Sequence, residues 1–393
     1  MGEASGHSKW TRRQFLTKGC AAALAAVLGL PAASACVPAS QPLTQEPVVP
    51  TPTSSAGLRE AMHYQRLEDG RVHCQICFRE CVVSPDHLGF CRNKKNIHGT
   101  YYSLVYGLPC ALQLDPIEKE PVFHMLPGSR ILGVGTAACN SRCKFCQNWE
   151  MSQHTLWETL NYRATPADVV ERALALDCAA VSFTYNEPTV FYEYAYDIAV
   201  AARSQGLRVI CHTNGTMLAA PLLQLLEQLD AITVDLKAFT SEFYQRVCTL
   251  ELEPVLATLR RVAQSGVHLE IVNLVIPTLN DDPEDIRNMC QWIVENLGVE
   301  VPLHFTRFFP AYKLQHLPAT PVETLEKAVA IADQAGLQYV YLGNVPGHKR
   351  NSTYCPKCGE RLLFRLHFTV LENNLTDGKC RFCGYPIAGI WSA

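Results

Sequence analysis

No single sign of charge dominates this chain. Its 34 lysines and arginines are offset by 37 aspartates and glutamates, and charged residues are only 18% of the 393. That balance leaves no basic face to gather nucleic acid and no like-charge tail, so no nucleic-acid partner is expected. Long apolar runs are missing too. "AAALAAVLGL" (21–30) is about half of the ~20 residues that a membrane-spanning helix needs. No repeat of solenoid period is visible. Cysteine, by contrast, is plentiful: there are 18, most in tight clusters and too dilute for a small disulfide scaffold, so metal binding leads. At 48% hydrophobic, the chain can support one large core with accessories.

The first residues do not read as part of a fold. "TRRQFLTKG" carries Arg12 and Arg13 ahead of Phe15 and Leu16, followed by the apolar stretch and "ASAC". Residues 1–36 resemble a twin-arginine or lipoprotein signal, cleaved after Ala35, lipidated at Cys36 or retained as a helix. The expected location is membrane-associated or exported, with cytoplasmic retention as the alternative. Residues 37–57, rich in Pro, Ser and Thr, cannot bury a core and read as an extended tether.

Beyond the tether, apolar runs alternate with amphipathic stretches. "RILGVG", "AAVSFTY", "LRVICHT", "AITVDLK", "HLEIVNLVI", "PLHFTRF" and "LQYVYLG" read as strands, with helical periodicity between them. One helix signal is "TPADVVERALAL", with Thr165 as N-cap and Pro166 at the first helical position. The class is α/β, with parallel strands in a doubly wound sheet or a partial or full (β/α) barrel. The chain is expected to divide into an N-terminal Cys-rich module (58–125), the β/α domain (126–345) and a C-terminal Cys-rich module (346–393). Polar clusters fall where such folds carry chemistry, at the C-terminal ends of strands. Cys139–Cys146, "YNEPT" (185–189), "HTNGT" (212–216), Asp235 with Lys237, and His304 with Arg307 all lie there.

Cys139, Cys143 and Cys146 form a CxxxCxxC pattern with no fourth cysteine before Cys178. Three thiolates can hold three irons of a [4Fe-4S] cluster and leave the fourth iron open. The readings that compete are a three-cysteine zinc site with a distant fourth ligand, and an electron-transfer cluster closed by Cys178. With Phe145 before the last cysteine and the first strand before the loop, the pattern resembles the radical S-adenosylmethionine (SAM) superfamily. The resemblance implies a radical SAM barrel, in which SAM chelates the open iron and is reductively cleaved to a 5'-deoxyadenosyl radical that abstracts hydrogen from a substrate. It implies Asn186 and Glu187 as candidates for the SAM amino group, although the glycine pair usual at that turn is absent. "HTNG" is similar to the ribose-contact segment of pyruvate formate-lyase activating enzymes, which points to Thr213 and Asn214. "DLK" in the same group implies Asp235 and Lys237 at the methionine end of SAM. Phe145 and His304 complete the candidates. "DPIEKEPVFHMLPGS", "CNSRCKFCQNWEMSQ", "TYNEPTVFYEY", "VDLKAF", "NLVIPTLND", "HFTRFFPAYK" and "YLGNVPG" together resemble the radical SAM enzymes of the AmmeMemoRadiSam system, over roughly Tyr64 to Trp391. An electron-donor protein and a peptide or protein substrate are the implied partners. The alternative is an exported iron–sulfur electron carrier without SAM turnover.

Two further sets have four cysteines each. Cys74, Cys77, Cys81 and Cys91 fit a zinc ion or a second cluster equally. Cys355, Cys358, Cys380 and Cys383 form two CxxC knuckles, each followed by glycine, the signal of a zinc ribbon and an expected clasp over the barrel. Cys110, Cys178, Cys211, Cys248 and Cys290 stand singly on apolar stretches and read as ordinary buried residues.

Overall fold

Each apolar run that reads as a strand becomes one, in the order that the alternation implies. The computed structural model describes residues 45–47 and 57–392. The signal segment (1–36) and most of the tether lie outside the described residues. Gln45–Pro47 pairs antiparallel with Leu160–Tyr162, so this part of the tether is an added strand. Among the described residues no helix is long and apolar enough to cross a membrane.

The centre is an eight-stranded sheet: β1 (Ala111–Pro116), β2 (Arg130–Gly135), β3 (Ala180–Phe183), β4 (Arg208–Thr213), β5 (Ala231–Asp235), β6 (His268–Val275), β7 (Leu303–Arg307) and β8 (Val340–Gly343). Every strand lies beside its neighbour in sequence. From β2 to β8 the pairing is parallel, with one principal helix in each crossover beside shorter helical turns: α1 (Pro166–Ala175), α2 (Tyr192–Ser204), α3 (Ala219–Leu226), α4 (Leu252–Ala263), α5 (Pro283–Leu297) and α6 (Val322–Ala335). β3 is buried throughout and β5 nearly so, as expected where both faces of a parallel sheet are covered. β1 and β8 are unpaired edges, so the barrel is partial and the full closure held open by the sequence does not occur.

Local chemistry fixes the helix ends. The Thr165 hydroxyl accepts from the Asp168 amide, the Asp168 carboxylate accepts from the Thr165 amide at 2.7 Å, and Pro166 opens α1. α6 ends at Gly336, whose φ of +98° suits glycine.

β1 runs antiparallel to β2, with Ala111 opposite Gly135 and Pro116 opposite Arg130. The alternation contained no sign of it, and it brings part of the expected N-terminal module into the main sheet. The chain then turns through Ile117–Ser129, where the buried Glu270 of β6 accepts from the Phe123 and His124 amides at 2.8 and 2.7 Å.

Two small modules pack on this frame. The N-terminal one consists of three-stranded sheets, Tyr64–Arg66 with Val72–Cys74 and Val82–Val83, and Arg59–Glu60 with Thr100–Ser103 and Lys94–Ile97. It docks through main-chain bonds from the Phe78 amide to Thr216 O (3.0 Å) and from the Leu218 amide to Ile76 O (2.9 Å). A fully buried pair, Lys94 with Glu193, ties it to α2. The C-terminal module is built on the hairpin Arg361–Leu366 and Thr369–Asn373. Its buried Arg365 donates to Phe123 O at 2.6 Å and lies 3.6 Å from the Glu118 carboxylate.

Candidate active site and metal centres

The loop after β2 turns through Ala138, at φ +65°, and directs Cys139, Cys143 and Cys146 into a cavity of about 500 Å³ at the strand ends. Its shape is held from below. The Asn186 side chain donates to Ala138 O (2.8 Å) and accepts from the Thr136 amide (3.3 Å), while Asn214 Nδ2 donates to Asn140 Oδ1 (2.8 Å). The Arg142 and Lys144 amides donate to the carbonyls of Cys248 and Val247 at 2.9 and 3.0 Å. Hydroxyls lie against the sulfurs: Ser141 at 3.2 Å from Cys139 and 3.5 Å from Cys143, and Ser152 at 3.1 Å from Cys146. Such contacts favour thiolates and tune a cluster. Cys248, read as an ordinary buried residue, is buried, and its carbonyl helps to hold the loop. Among the described residues these three cysteines do not form a set at single-ion spacing, and three thiol donors suit a [4Fe-4S] cluster with one iron left open.

All eight SAM-contact candidates, Phe145, Asn186, Glu187, Thr213, Asn214, Asp235, Lys237 and His304, line this one cavity. Asp235 pairs with Lys237 at 2.7 Å and with His212 Nε2 at 3.2 Å. Burial disfavours charge on Asp235, but its two cationic neighbours outweigh this and hold the carboxyl below the usual range. Glu187 accepts from Thr213 Oγ1 (2.8 Å) and from the amides of Asn214 (2.7 Å) and Thr189 (3.3 Å), joining the ends of β3 and β4. Burial still pushes its carboxyl up to about 7. The Lys237 ammonium lies 5.6 Å from the centre of the Phe145 ring. His304 Nε2 is 2.6 Å from Glu270.

Sequence reasoning missed the other half of the lining. Asp115, Glu118, Lys119 and Glu120 lie there, in the "DPIEKEP" stretch that carried the resemblance but had no assigned role. Tyr185, with φ +72°, crosses Gly133 and donates to Asp115 at 2.7 Å; a Cβ at Gly133 would lie 2.2 Å from the phenol oxygen. Burial drives the Glu120 carboxyl up to about 7, against the pull of His212 and the Ser182 hydroxyl. Burial lowers His212, but Asp235 and Glu120 more than offset it, so this imidazole rises to about 9. Glu120, His212, Asp235 and Lys237 thus alternate in charge along the wall. At the far side stand His367 and Phe368, the turn of the C-terminal hairpin, so that module supplies part of the wall.

The other cysteine sets differ in geometry. Cys355 Sγ lies 3.6 Å from Cys383 Sγ, and Cys358 Sγ lies 3.7 Å from Cys380 Sγ, with all four sulfurs within 4.8 Å. A tetrahedral zinc with bonds near 2.3 Å implies sulfurs about 3.8 Å apart, so the set fits one such ion. Among the described residues no other set is drawn this tightly. Cys74, Cys77, Cys81 and Cys91 instead surround a small cavity of their own.

Comparison with known proteins adds to this geometry. The family profile described as "Radical SAM superfamily" matches residues 134–293. The uncharacterized protein MJ0808 of Methanocaldococcus jannaschii is 42% identical over 332 residues, 84% of this chain and 99% of that protein. Pyruvate formate-lyase 1-activating enzyme of Escherichia coli K12 is 22% identical over 222 residues, 52% of this chain and 88% of the enzyme. Among solved structures, a domain of a pyruvate-formate lyase-activating enzyme from Bacteroides vulgatus aligns with TM-score 0.38 at 20% identity, over 42% of this chain and 99% of that domain. Streptococcus suis SuiB bound to S-adenosylmethionine aligns with TM-score 0.45 at 13% identity, over 58% of this chain and 53% of that one.

Proposed function

The chain belongs to the radical SAM superfamily, and from that premise we propose that it is the radical SAM enzyme of an AmmeMemoRadiSam system, acting on a peptide, a protein or a small metabolite in the manner of a glycyl-radical activase. The observation that carries this reading is the convergence on one cavity of three open cysteines and the opposite charges of Asp235 and Lys237. SAM's methionine end carries one ammonium and one carboxylate, so this pair matches it charge for charge. When bound, a [4Fe-4S] cluster at Cys139, Cys143 and Cys146 supplies the electron that cleaves SAM to methionine and a 5'-deoxyadenosyl radical.

The chain's own residues bind and orient. Lys237 takes the SAM carboxylate, while Asp235 and Glu187 face its ammonium. Thr213 and Asn214 lie where the ribose would rest, and the Phe145 ring covers the cluster side. Asn186 and Asn214 also hold the cysteine loop, so their loss would disturb the cluster before it disturbed SAM. The rest of the lining, Asp115, Glu120, Tyr185, His212, His367 and Phe368, is left for the substrate. With pKa values displaced toward neutrality, Glu120 and His212 can hold or move a proton there. A zinc ion in the ribbon would fix the hairpin that carries His367 and Phe368. An electron-donor protein is the expected partner, and the twin-arginine segment would keep the enzyme at the membrane.

The test is formation of 5'-deoxyadenosine from SAM by the anaerobically reconstituted full chain, reduced with dithionite. Product that vanishes in Cys139→Ala supports the reading. A reduced cluster that neither binds SAM nor yields product would favour the electron carrier, which needs no lining of paired charges.

A further inference from the structure

Three cysteine sets in one chain provide an internal ruler. The ribbon sulfurs are spaced for one ion. The four N-terminal cysteines also converge, since Cys74, Cys77, Cys81 and Cys91 line one small cavity and none is in a disulfide. Their sulfurs, however, are not drawn to ribbon spacing, which is the condition they share with Cys139, Cys143 and Cys146. A space between ligands is what a bulky inorganic group requires and what a bare ion does not.

The cavity wall carries a second sign. Thr189, 3% exposed, lines it, and among the described residues its hydroxyl has no hydrogen-bond partner. A buried orphan hydroxyl is costly unless something accepts from it, and the inorganic sulfides of a cluster would do so. Lys94, also on the wall, is the buried partner of Glu193.

We propose that Cys74, Cys77, Cys81 and Cys91 hold a second [4Fe-4S] cluster, with the Asn140 side chain between it and the Cys139 site. Asn140 lines the small cavity together with Cys77, and its Oδ1 is 3.8 Å from Cys139 Sγ. Its main-chain oxygen accepts from Arg79, a residue of the N-terminal set, at 2.7 Å. The chemistry of the site is one-electron exchange: a low-potential donor gives up one electron, the cluster gains it, and no bond forms or breaks. One side chain then separates it from the cysteine loop. The site does not depend on the proposed SAM chemistry.

The experiment is metal and sulfide analysis of the full chain after anaerobic reconstitution, with electron paramagnetic resonance after dithionite reduction. The expected content is about eight irons and one zinc per chain. Cys139→Ala/Cys143→Ala/Cys146→Ala should keep about four irons and a cluster signal that SAM does not change. Cys77→Ser/Cys81→Ser should lose half of the iron and keep the signal that SAM does change. About four irons with two zincs in the wild type would overturn the proposal, as would a folded triple variant without iron. The wild-type ratio decides even if a variant fails to fold. Two clusters without SAM cleavage would sink the proposed function alone, and SAM cleavage with two zincs would sink this inference alone.

Discussion

The ribbon knuckles and the cysteine loop after β2 use the same residue at nearly the same spacing and reach opposite results. In the ribbon, four sulfurs turn toward one another on a module whose Cys358 is exposed. In the loop, the buried Cys139 and Cys143 and the half-buried Cys146 line a cavity, and the loop that carries them is bonded to the ends of neighbouring strands. Four ligands close a site, whereas three leave a position for chemistry. The loop cannot set that arrangement alone, because its partners Asn186, Asn214 and Cys248 come from three other segments.

The strongest way to break the comparison is to remove one sulfur from each site. Cys143→Ala should abolish 5'-deoxyadenosine formation, whereas Cys355→Ser should release the ribbon metal, seen by elemental analysis, and leave SAM cleavage without substrate measurable. Equal loss in both would mean that the ribbon is part of the radical site. Next comes the link between the regions. Arg365→Leu strands the buried Glu118 carboxylate and should cost about 3–5 kcal/mol in chemical denaturation. Arg365→Leu/Glu118→Leu should recover much of that cost, because an apolar pair leaves no orphan charge.

A smaller effect is expected at the open site. Asp235→Asn should weaken SAM binding about 10- to 100-fold by calorimetry, or about 1.4–2.8 kcal/mol, with cluster content unchanged. A parallel loss of iron would make Asp235 a support of the loop instead. The smallest effect is on pH dependence. His212 is raised from 6.5 to about 9, so its contribution to stability is full below pH 6.5 and is lost as pH rises through 9. Glu120, raised from 4.5 to about 7, changes stability in the same direction at lower pH. Wild type should therefore lose stability between pH 6.5 and 9 relative to His212→Asn, by on the order of 1 kcal/mol in denaturant midpoints. A flat difference would mean that Asp235 and Glu120 do not hold the imidazole charged.

The strands from β2 to β8 were legible because a strand covered on both faces must be apolar along its length, and the polar residues that end it then stand out. Cys139, Thr213, Asp235 and His304 were found in that way. β1 was not, since "ALQLDP" has half-exposed polar positions like any edge. Glu120 was missed, and His212 was placed at a strand end without a role, for another reason: Glu120 lies in a turn, and its meeting with His212 is a matter of distance across the sheet. The N-terminal cysteines showed their number in the sequence but not their separation.

The sequence by itself determined the alternation of strands and helices, the caps that end the helices and the three groups of thiols, because these depend on side-chain type and on spacing within one turn or one strand. Tertiary structure alone decided which thiols gather at the spacing of a single ion and which line a cavity. It also brought the hairpin of the C-terminal module to the cavity wall and left the barrel open between β1 and β8. Those outcomes depend on distances between residues far apart in the chain, which are set by the register of neighbouring strands and by what packs beneath each loop.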